Sequence, residues 1–168
     1  LDKAIADYTK ALSLDPDYID AYANRGGAYC AQGRFQEGIA DFDKSLKLNR
    51  NNPRFYNNRG YAYYLIKQYD KAMADFSRAI SLNPQDAFAF NNRGNIFAAA
   101  EQYEQAIADY TNAIRLHPGY PHPYGNRAVA YYKLGKYADA WADIRVAQGL
   151  GLQVDPQFFE ELKRAAQQ

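Results

Sequence analysis

The chain has 168 residues, and its 20 Lys and Arg against 19 Asp and Glu leave a formal net charge of +1. This balance argues against nucleic acid or an anionic membrane surface as a partner, since both require a basic excess on one face. The single cysteine, Cys30, excludes an internal disulfide and is compatible with a reducing compartment. No apolar run reaches membrane-spanning length and no signal peptide heads the chain, so we expect no membrane insertion and favour the cytoplasm.

Residues 1–18 match only the second half of a segment that recurs further along the chain. In order, Ala4, Asp7, Tyr8, Ala11 and Pro16 correspond to Ala72, Asp75, Phe76, Ala79 and Pro84. The chain therefore begins in the middle of a two-helix repeat, and it carries no initiator Met. We infer that it is a fragment of a longer protein.

Four full repeats of equal length follow, at 19–52, 53–86, 87–120 and 121–154. In the second of them, apolar and aromatic residues recur at helical spacing over 54–66 and again over 69–82. Lys67-Gln68 separates the two predicted helices, and Asn83-Pro84 ends the second, because proline lacks an N–H and disfavours helical geometry in the residue before it. A period of this length predicts stacked helical hairpins, since one hairpin cannot bury both of its apolar faces.

The repeat at 19–52 departs most from the others. Gly38 stands where the later repeats have alanine. Glycine inside a helix costs about 1 kcal/mol relative to alanine. We therefore expect the second helix of this repeat to be the least stable of the set.

The last segment, 155–168, predicts a single amphipathic helix. Asp155 is placed as its N-cap and Pro156 in its first turn. Its apolar stripe consists of Phe158, Phe159, Leu162, Ala165 and Ala166. Because a terminal repeat exposes an apolar face, we interpret this helix as a cap; a docking helix for another protein is the alternative.

The repeat pattern resembles the tetratricopeptide repeat family. In the copy at 53–86 the resemblance rests on Tyr56, Gly60, Tyr63, Ala72, Phe76, Ala79 and Pro84. It recurs in register and covers nearly the whole chain. It implies an all-α fold, an α-solenoid in which the hairpins form a right-handed superhelix whose concave face binds peptides.

Two charged columns also recur with the period. They are Arg25, Arg59, Arg93 and Arg127, and Asp7, Asp41, Asp75, Asp109 and Asp143. Each arginine follows an aspartate of the preceding repeat at a constant spacing, as Arg59 follows Asp41, which predicts a link from the second helix of one repeat to the first helix of the next. We favour partly buried ion pairs with the arginine stems packed on aromatic rings, because a half-buried charge requires a partner. The alternative is that the arginines face an acidic ligand.

An asparagine column is the main candidate for a binding function. It consists of Asn24, Asn58, Asn92 and Asn126, each in the middle of a predicted first helix. Helix propensity does not explain these residues, whereas an amide both donates to and accepts from the main chain of an extended peptide. The equally weighted alternative is that each asparagine bonds a neighbouring helix across the stack.

The resemblance implies that first-helix neighbours of these asparagines line the concave groove. The residues expected there are Arg54, Asn57, Tyr61, Tyr64, Phe88, Asn91, Asn95, His122 and Lys133. The repeat at 19–52 offers Asp20, Ala23, Gly27 and Cys30, a small and nearly featureless set. An amide-rich groove with aromatic sides favours a peptide held by main-chain bonds and one or two apolar anchors.

One subgroup of the family grips a C-terminal carboxylate with lysines and arginines. In this chain Asn24 has Ala23 and Gly27 beside it. Asn57 and Asn91 occupy the positions of the first clamp lysine. Asn126 occupies the position of the clamp arginine expected next to His122. We therefore do not predict binding of chaperone C-terminal tails.

The sequence contains no catalytic constellation. His117 and His122 flank prolines in a predicted loop without further ligands at metal-binding spacing, and no phosphate-binding loop or nucleophile elbow occurs. We expect no enzyme activity, no metal and no cofactor. The predicted function is a protein-interaction module or adaptor that binds a peptide or partner segment; the alternatives are a self-assembling scaffold unit, hence a homo-oligomer, and a targeting arm of a larger enzyme.

Overall fold

The computed structural model describes residues 1–166, which form ten α-helices and no strand. The helices are α1 (Asp2–Leu14), α2 (Ile19–Ala31), α3 (Phe35–Leu48), α4 (Pro53–Leu65), α5 (Tyr69–Leu82), α6 (Ala87–Ala99), α7 (Tyr103–Leu116), α8 (Pro121–Lys133), α9 (Tyr137–Gly149) and α10 (Pro156–Ala165). The predicted all-α helical-repeat solenoid is confirmed. The chain divides into two compact units, an N-terminal unit (Leu1–Pro84) and a C-terminal unit (Gln85–Gln168).

Helix boundaries follow the local sequence signals. The first helices α2, α4, α6 and α8 each start at the first residue of a repeat. At the start of α4, the Asn52 side chain accepts a hydrogen bond from the Arg54 backbone N–H (3.0 Å), and Pro53 occupies the first turn. The second helix of the same repeat ends at Leu82 as predicted, whereas α4 begins and ends one position earlier than expected.

Within each unit, helices that are consecutive along the chain pack side by side, α1 through α5 in one and α6 through α9 in the other. Phe76 on α5 is fully buried, and a Cβ placed on Gly60 of α4 would lie 2.9 Å from its ring. Glycine at this position thus lets the two helices approach closely. In the last repeat Ala128 replaces this glycine, and the aromatic ring is replaced by the smaller Ile144, with which Ala128 shares a core cluster.

Helix α10 covers the end of the C-terminal unit. The Asp155 side chain caps it by accepting a hydrogen bond from the Phe158 backbone N–H (2.8 Å). Leu162 is fully buried in the cluster that contains Ala128 and Ile144. The helix therefore packs on the apolar end of the last repeat; residues 167–168 of the predicted segment lie outside the described residues.

The arginine column pairs with aspartates of the same hairpin. Arg59 on α4 donates from Nε and Nη2 to the two carboxylate oxygens of Asp75 on α5 (2.8 and 2.7 Å), and Asp75 is only 5% exposed. The guanidinium of Arg59 also lies between the rings of Tyr56 and Tyr63, 5.7 and 5.8 Å from their centroids. These are structural ion pairs packed on aromatic rings, as favoured from the sequence. The same two-point pairs join Arg25 to Asp41, Arg93 to Asp109 and Arg127 to Asp143.

The predicted pairing register was wrong. The sequence pattern pairs each arginine with the aspartate of the preceding repeat, as Arg59 with Asp41, but its partner is the aspartate of its own repeat, Asp75. The antiparallel hairpin places the middle of α4 beside the middle of α5, which selects the partner in the same repeat. The preceding repeat is reached through the remaining nitrogen, since Arg59 Nη1 donates to Asp43 on α3 (2.6 Å). The Nη1 atoms of Arg25 and Arg127 donate in the same way to the hydroxyl groups of Thr9 on α1 and Thr111 on α7.

Candidate functional site

The asparagine column does not have one environment along the chain. In the C-terminal unit, Asn126 on α8 donates from Nδ2 to the side-chain oxygens of Asn91 and Asn95 on α6, both at 3.0 Å. Asn95 also accepts from the Tyr110 hydroxyl (2.9 Å), and Asn91 donates to the Tyr120 hydroxyl (3.5 Å). Asn126 therefore bonds a neighbouring helix, which is the structural alternative considered from the sequence.

The N-terminal unit contains a cleft of about 590 Å³. It lies between α2 and α4, with the aromatic residues of α3 at its base. Asn58 and Tyr61, both predicted groove residues, are brought to this one concavity. Its lining consists of Gly27, Cys30, Ala31, Gly33, Phe35, Phe42, Asn58, Tyr61 and Leu65.

Small side chains on α2 create this cleft. Gly27, Cys30 and Ala31 lie on the side of α2 that faces the opening, and a Cβ on Gly27 would have no atom within 4 Å. On the other wall, Tyr61 and Leu65 of α4 are 45% and 39% exposed. The small residues that made this repeat look featureless in the sequence therefore leave room for a ligand.

The polar groups of the cleft are few. Among residues 1–166 the structure records no side-chain hydrogen bond for Asn58, in contrast to Asn126. Cys30 packs against α3, and burial raises the pKa of its thiol, which keeps the thiol neutral. The cleft thus presents an apolar wall with one available amide.

A balanced pair of charges lies on the same helices. Arg54 Nη2 on α4 is 3.3 Å from Asp20 Oδ1 on α2, and both side chains are more than half exposed. The cleft lining itself contains no Lys, Arg, Asp or Glu. The local electrostatics of this surface are therefore close to neutral.

An aromatic strip continues from the cleft. The rings of Tyr61 and Tyr64 are stacked with centroids 6.4 Å apart, and Tyr64 contacts Tyr69 at 5.8 Å. Tyr64 is half-buried, whereas Tyr61 and Tyr69 are exposed. Two predicted groove residues thus belong to one contiguous aromatic surface.

The C-terminal unit has a second aromatic surface. The exposed ring of Phe88 lies 4.9 Å from that of Tyr120, which is in turn 5.5 Å from His122 and 6.0 Å from His117. His122, expected in a loop, lies in the first turn of α8. A smaller cleft of about 300 Å³ lies beside it, lined by His122, Gly125, Asn126, Val129, Ile144, Leu152, Val154, Asp155 and Phe158.

The remaining predicted site residues differ in accessibility. Asn24 and Lys133 are exposed, whereas Asn57 and Asn92 are half-buried and have interactions of their own. Asn91 is only 4% exposed. Ala23 was expected in the groove, but it is 3% exposed and packs against Leu46 and Phe55.

Two further properties hold for the part of the chain that the structure describes. Within residues 1–166, no group of three or more His, Cys, Asp or Glu side chains could hold a metal ion. None of the helices described there combines the length and apolarity needed to cross a bilayer.

Comparison with protein families gives three matches, all to tetratricopeptide repeats. The TPR repeat model matches residues 1–30, 26–67 and 94–135, more than half of the chain. Two further models of the tetratricopeptide repeat match residues 53–86 and 76–108. A search of curated protein sequences found no significant match.

Several solved structures are similar to this chain. A crystal structure of MamA is 25% identical with a TM-score of 0.78, and the alignment covers 87% of this chain and 85% of that one. The first TPR of Spaghetti (RPAP3) bound to the HSP90 peptide SRMEEVD is 26% identical with a TM-score of 0.67, covering 69% and 92%. The PilF protein of Pseudomonas aeruginosa, 23% identical with a TM-score of 0.82 and covering 95% and 77%, is similar in fold.

Proposed function

Because the chain belongs to the tetratricopeptide repeat family, we propose that it is a protein-interaction module whose first helices bind an extended segment of a partner protein. The structure of RPAP3 with a bound HSP90 peptide supports this proposal, since it is a TPR domain of similar fold that holds a peptide.

The observation that carries the proposal is the cleft at Asn58. Ligand sites are typically concave and mostly apolar, with a few polar groups that fix orientation. The cleft between α2 and α4 has this composition, and the Asn58 amide can both donate to and accept from a peptide main chain. Asn126 contributes less, because its amide is already engaged with α6.

An acidic C-terminal tail is not the ligand we propose for this surface. A carboxylate requires lysine or arginine side chains that are free to bind it. Arg25 and Arg59 are each bound to aspartates, and the exposed Arg54 is paired with Asp20. The proposed ligand is therefore held by main-chain bonds and apolar contacts.

The test uses peptides selected from a random library displayed on phage. We expect Asn58→Ala to weaken the binding of the selected peptides about twofold to twelvefold, because one hydrogen bond contributes about 0.5–1.5 kcal/mol. Asn51→Ala, on an exposed turn outside the cleft, is the matched control. Binding that is unaffected by Asn58→Ala and by substitution of the other cleft residues would contradict the proposal.

Self-association is a second candidate function. It is favoured by apolar side chains at the end of α1, where Leu14 is 80% exposed and Tyr18 is 49% exposed. Sedimentation should then show concentration-dependent oligomers that Leu14→Ser weakens and Asn58→Ala leaves intact. A monomer at all concentrations would rule this candidate out.

A further inference from the structure

We infer that the cleft between α2 and α4 selects an uncharged peptide segment with bulky apolar side chains, such as leucine or phenylalanine. This inference rests on the proposed peptide-binding function and specifies the class of peptide. It follows from the shape, the charge and the exposed surface of the cleft.

The shape of the cleft favours bulky side chains. Its volume of about 590 Å³ lies within the range typical of ligand sites. Gly27 and Ala31 leave one wall without side-chain bulk, while Phe42, only 1% exposed, closes the base. A ligand with small side chains would leave this space to water and gain little.

The charge of the cleft excludes a charged anchor. A charged side chain in an apolar cleft loses its hydration without gaining a partner, which is costly. No charged side chain lines the cleft. Arg34, between the lining residues Gly33 and Phe35, is paired with Glu37 (2.6 Å), and Arg54 at the start of α4 is paired with Asp20. Lysine and glutamate peptides are therefore both disfavoured.

The solvent-exposed apolar surface of the cleft provides the driving force. Tyr61 and Leu65 are 45% and 39% exposed and lie side by side on the wall formed by α4. The rings of Tyr64 and Tyr69 extend this apolar surface beyond the cleft. Covering it with a leucine or phenylalanine side chain removes apolar area from water on both partners, whereas Asn58 remains available for the peptide main chain.

The test uses synthetic peptides that are acetylated and amidated at their ends, labelled with fluorescein, and read by fluorescence anisotropy. A Gly-Ser host peptide carries leucine, phenylalanine, lysine, glutamate or asparagine at its central positions. We expect the leucine and phenylalanine peptides to bind at least about tenfold more tightly than the others. Equal binding of the leucine and lysine peptides would overturn the inference.

Two variants test whether the preference for apolar peptides arises in this cleft. Gly27→Phe fills the cleft from a position with open space around it, and Ala31→Phe does so from the end of α2. Each should remove the preference for apolar peptides while circular dichroism shows an intact fold. Gly149→Phe is the matched control, because Gly149 also has open space around it but lies on α9 of the other unit. A preference that survives both cleft variants overturns the inference.

The same experiment separates the inference from the proposed function. If charged or amide peptides bind as well as apolar ones and Asn58→Ala weakens them, the groove binds peptides without this selectivity. If no peptide of any class binds the unmodified chain, both the inference and the proposed function fail.

Discussion

The Sγ atom of Cys30 on α2 occupies the space that a methyl group at Gly38 on α3 would need. The later repeats have Ala72, Ala106 and Ala140 in place of Gly38, all fully buried. Gly38 is therefore complementary to Cys30, and the two residues together allow α2 and α3 to pack. From the sequence, Gly38 was interpreted as a departure that only weakens its helix.

Gly38→Ala should lower the free energy of unfolding in urea. The added methyl group overlaps Cys30, and overpacking of about 1–3 kcal/mol outweighs the gain in helix propensity of about 1 kcal/mol. The double variant with Cys30→Ala should recover only part of that loss, because the added methyl group still lies 2.9 Å from the backbone oxygen of Gly26. Gly27→Ala is the control, since its surroundings are open and the helix should gain up to about 1 kcal/mol. A stable Gly38→Ala chain that Cys30→Ala does not improve would contradict this packing.

Asp75→Asn should destabilise the chain much more than Asp20→Asn. The first change breaks a pair whose side chains are 19% and 7% exposed, whereas Arg54 and Asp20 are 57% and 63% exposed. We expect Asp75→Asn to lower the free energy of unfolding by about 2–3 kcal/mol. This is less than the loss for a fully buried pair, because Arg59 retains its hydrogen bond to Asp43. Asp20→Asn should cost less than about 1 kcal/mol. Similar losses for the two variants, measured by urea unfolding, would show that burial does not set the strength of these pairs.

Asn126→Ala and Asn24→Ala should have different effects on the stability of the chain, although the two residues occupy the same column. Removing the Asn126 amide leaves the buried Asn91 oxygen without this donor, which costs about 1–3 kcal/mol. Asn24 is exposed, so its replacement by a better helix former should be neutral or slightly stabilising. Thermal unfolding of the two variants measures the difference. Equal melting temperatures would mean that the amide network contributes nothing to stability.

Lys67→Gly should stabilise the chain by about 0.5–1 kcal/mol, because it relieves a left-handed backbone conformation that is unfavourable for a residue with a Cβ. Lys67 has a φ of 60° in the turn between α4 and α5. Gly33 and Gly135 occupy the same position of their repeats with φ values of 77° and 72°. Gly33→Ala is the reciprocal control and should be destabilising. A loss of stability in Lys67→Gly, determined by urea unfolding, would contradict this assignment of strain.

Periodicity predicted the helices and the existence of the Arg–Asp pairs, but it assigned each arginine to the wrong aspartate, for a physical reason. Helix ends depend on local signals such as Pro53 at the start of α4 and Asn83-Pro84 after α5, which can be read from the sequence. In a strictly periodic chain, however, Arg59 has Asp41 before it and Asp75 after it at similar separations. Spacing alone does not choose between them; the antiparallel geometry of the hairpin does.

The candidate site was only partly predictable for a similar reason. The asparagine column was visible as a pattern, but whether an amide is engaged depends on its neighbours in three dimensions. Asn126 finds Asn91 and Asn95 within hydrogen-bonding distance, whereas Asn58 borders a cleft. That cleft exists because residues of α2 such as Gly27 have small side chains. Small side chains at these positions do not form a recognisable sequence motif.

The location of a bound peptide is the most direct test of the account. Nuclear magnetic resonance spectra of the isotope-labelled chain can be recorded during titration with the tightest peptide of the apolar series. We predict that backbone amide shifts change on the two walls of the cleft, at Gly27, Ala31, Asn58 and Tyr61. Changes confined to exposed positions of the second helices, such as Lys44 on α3 and Arg78 on α5, would contradict the proposed groove.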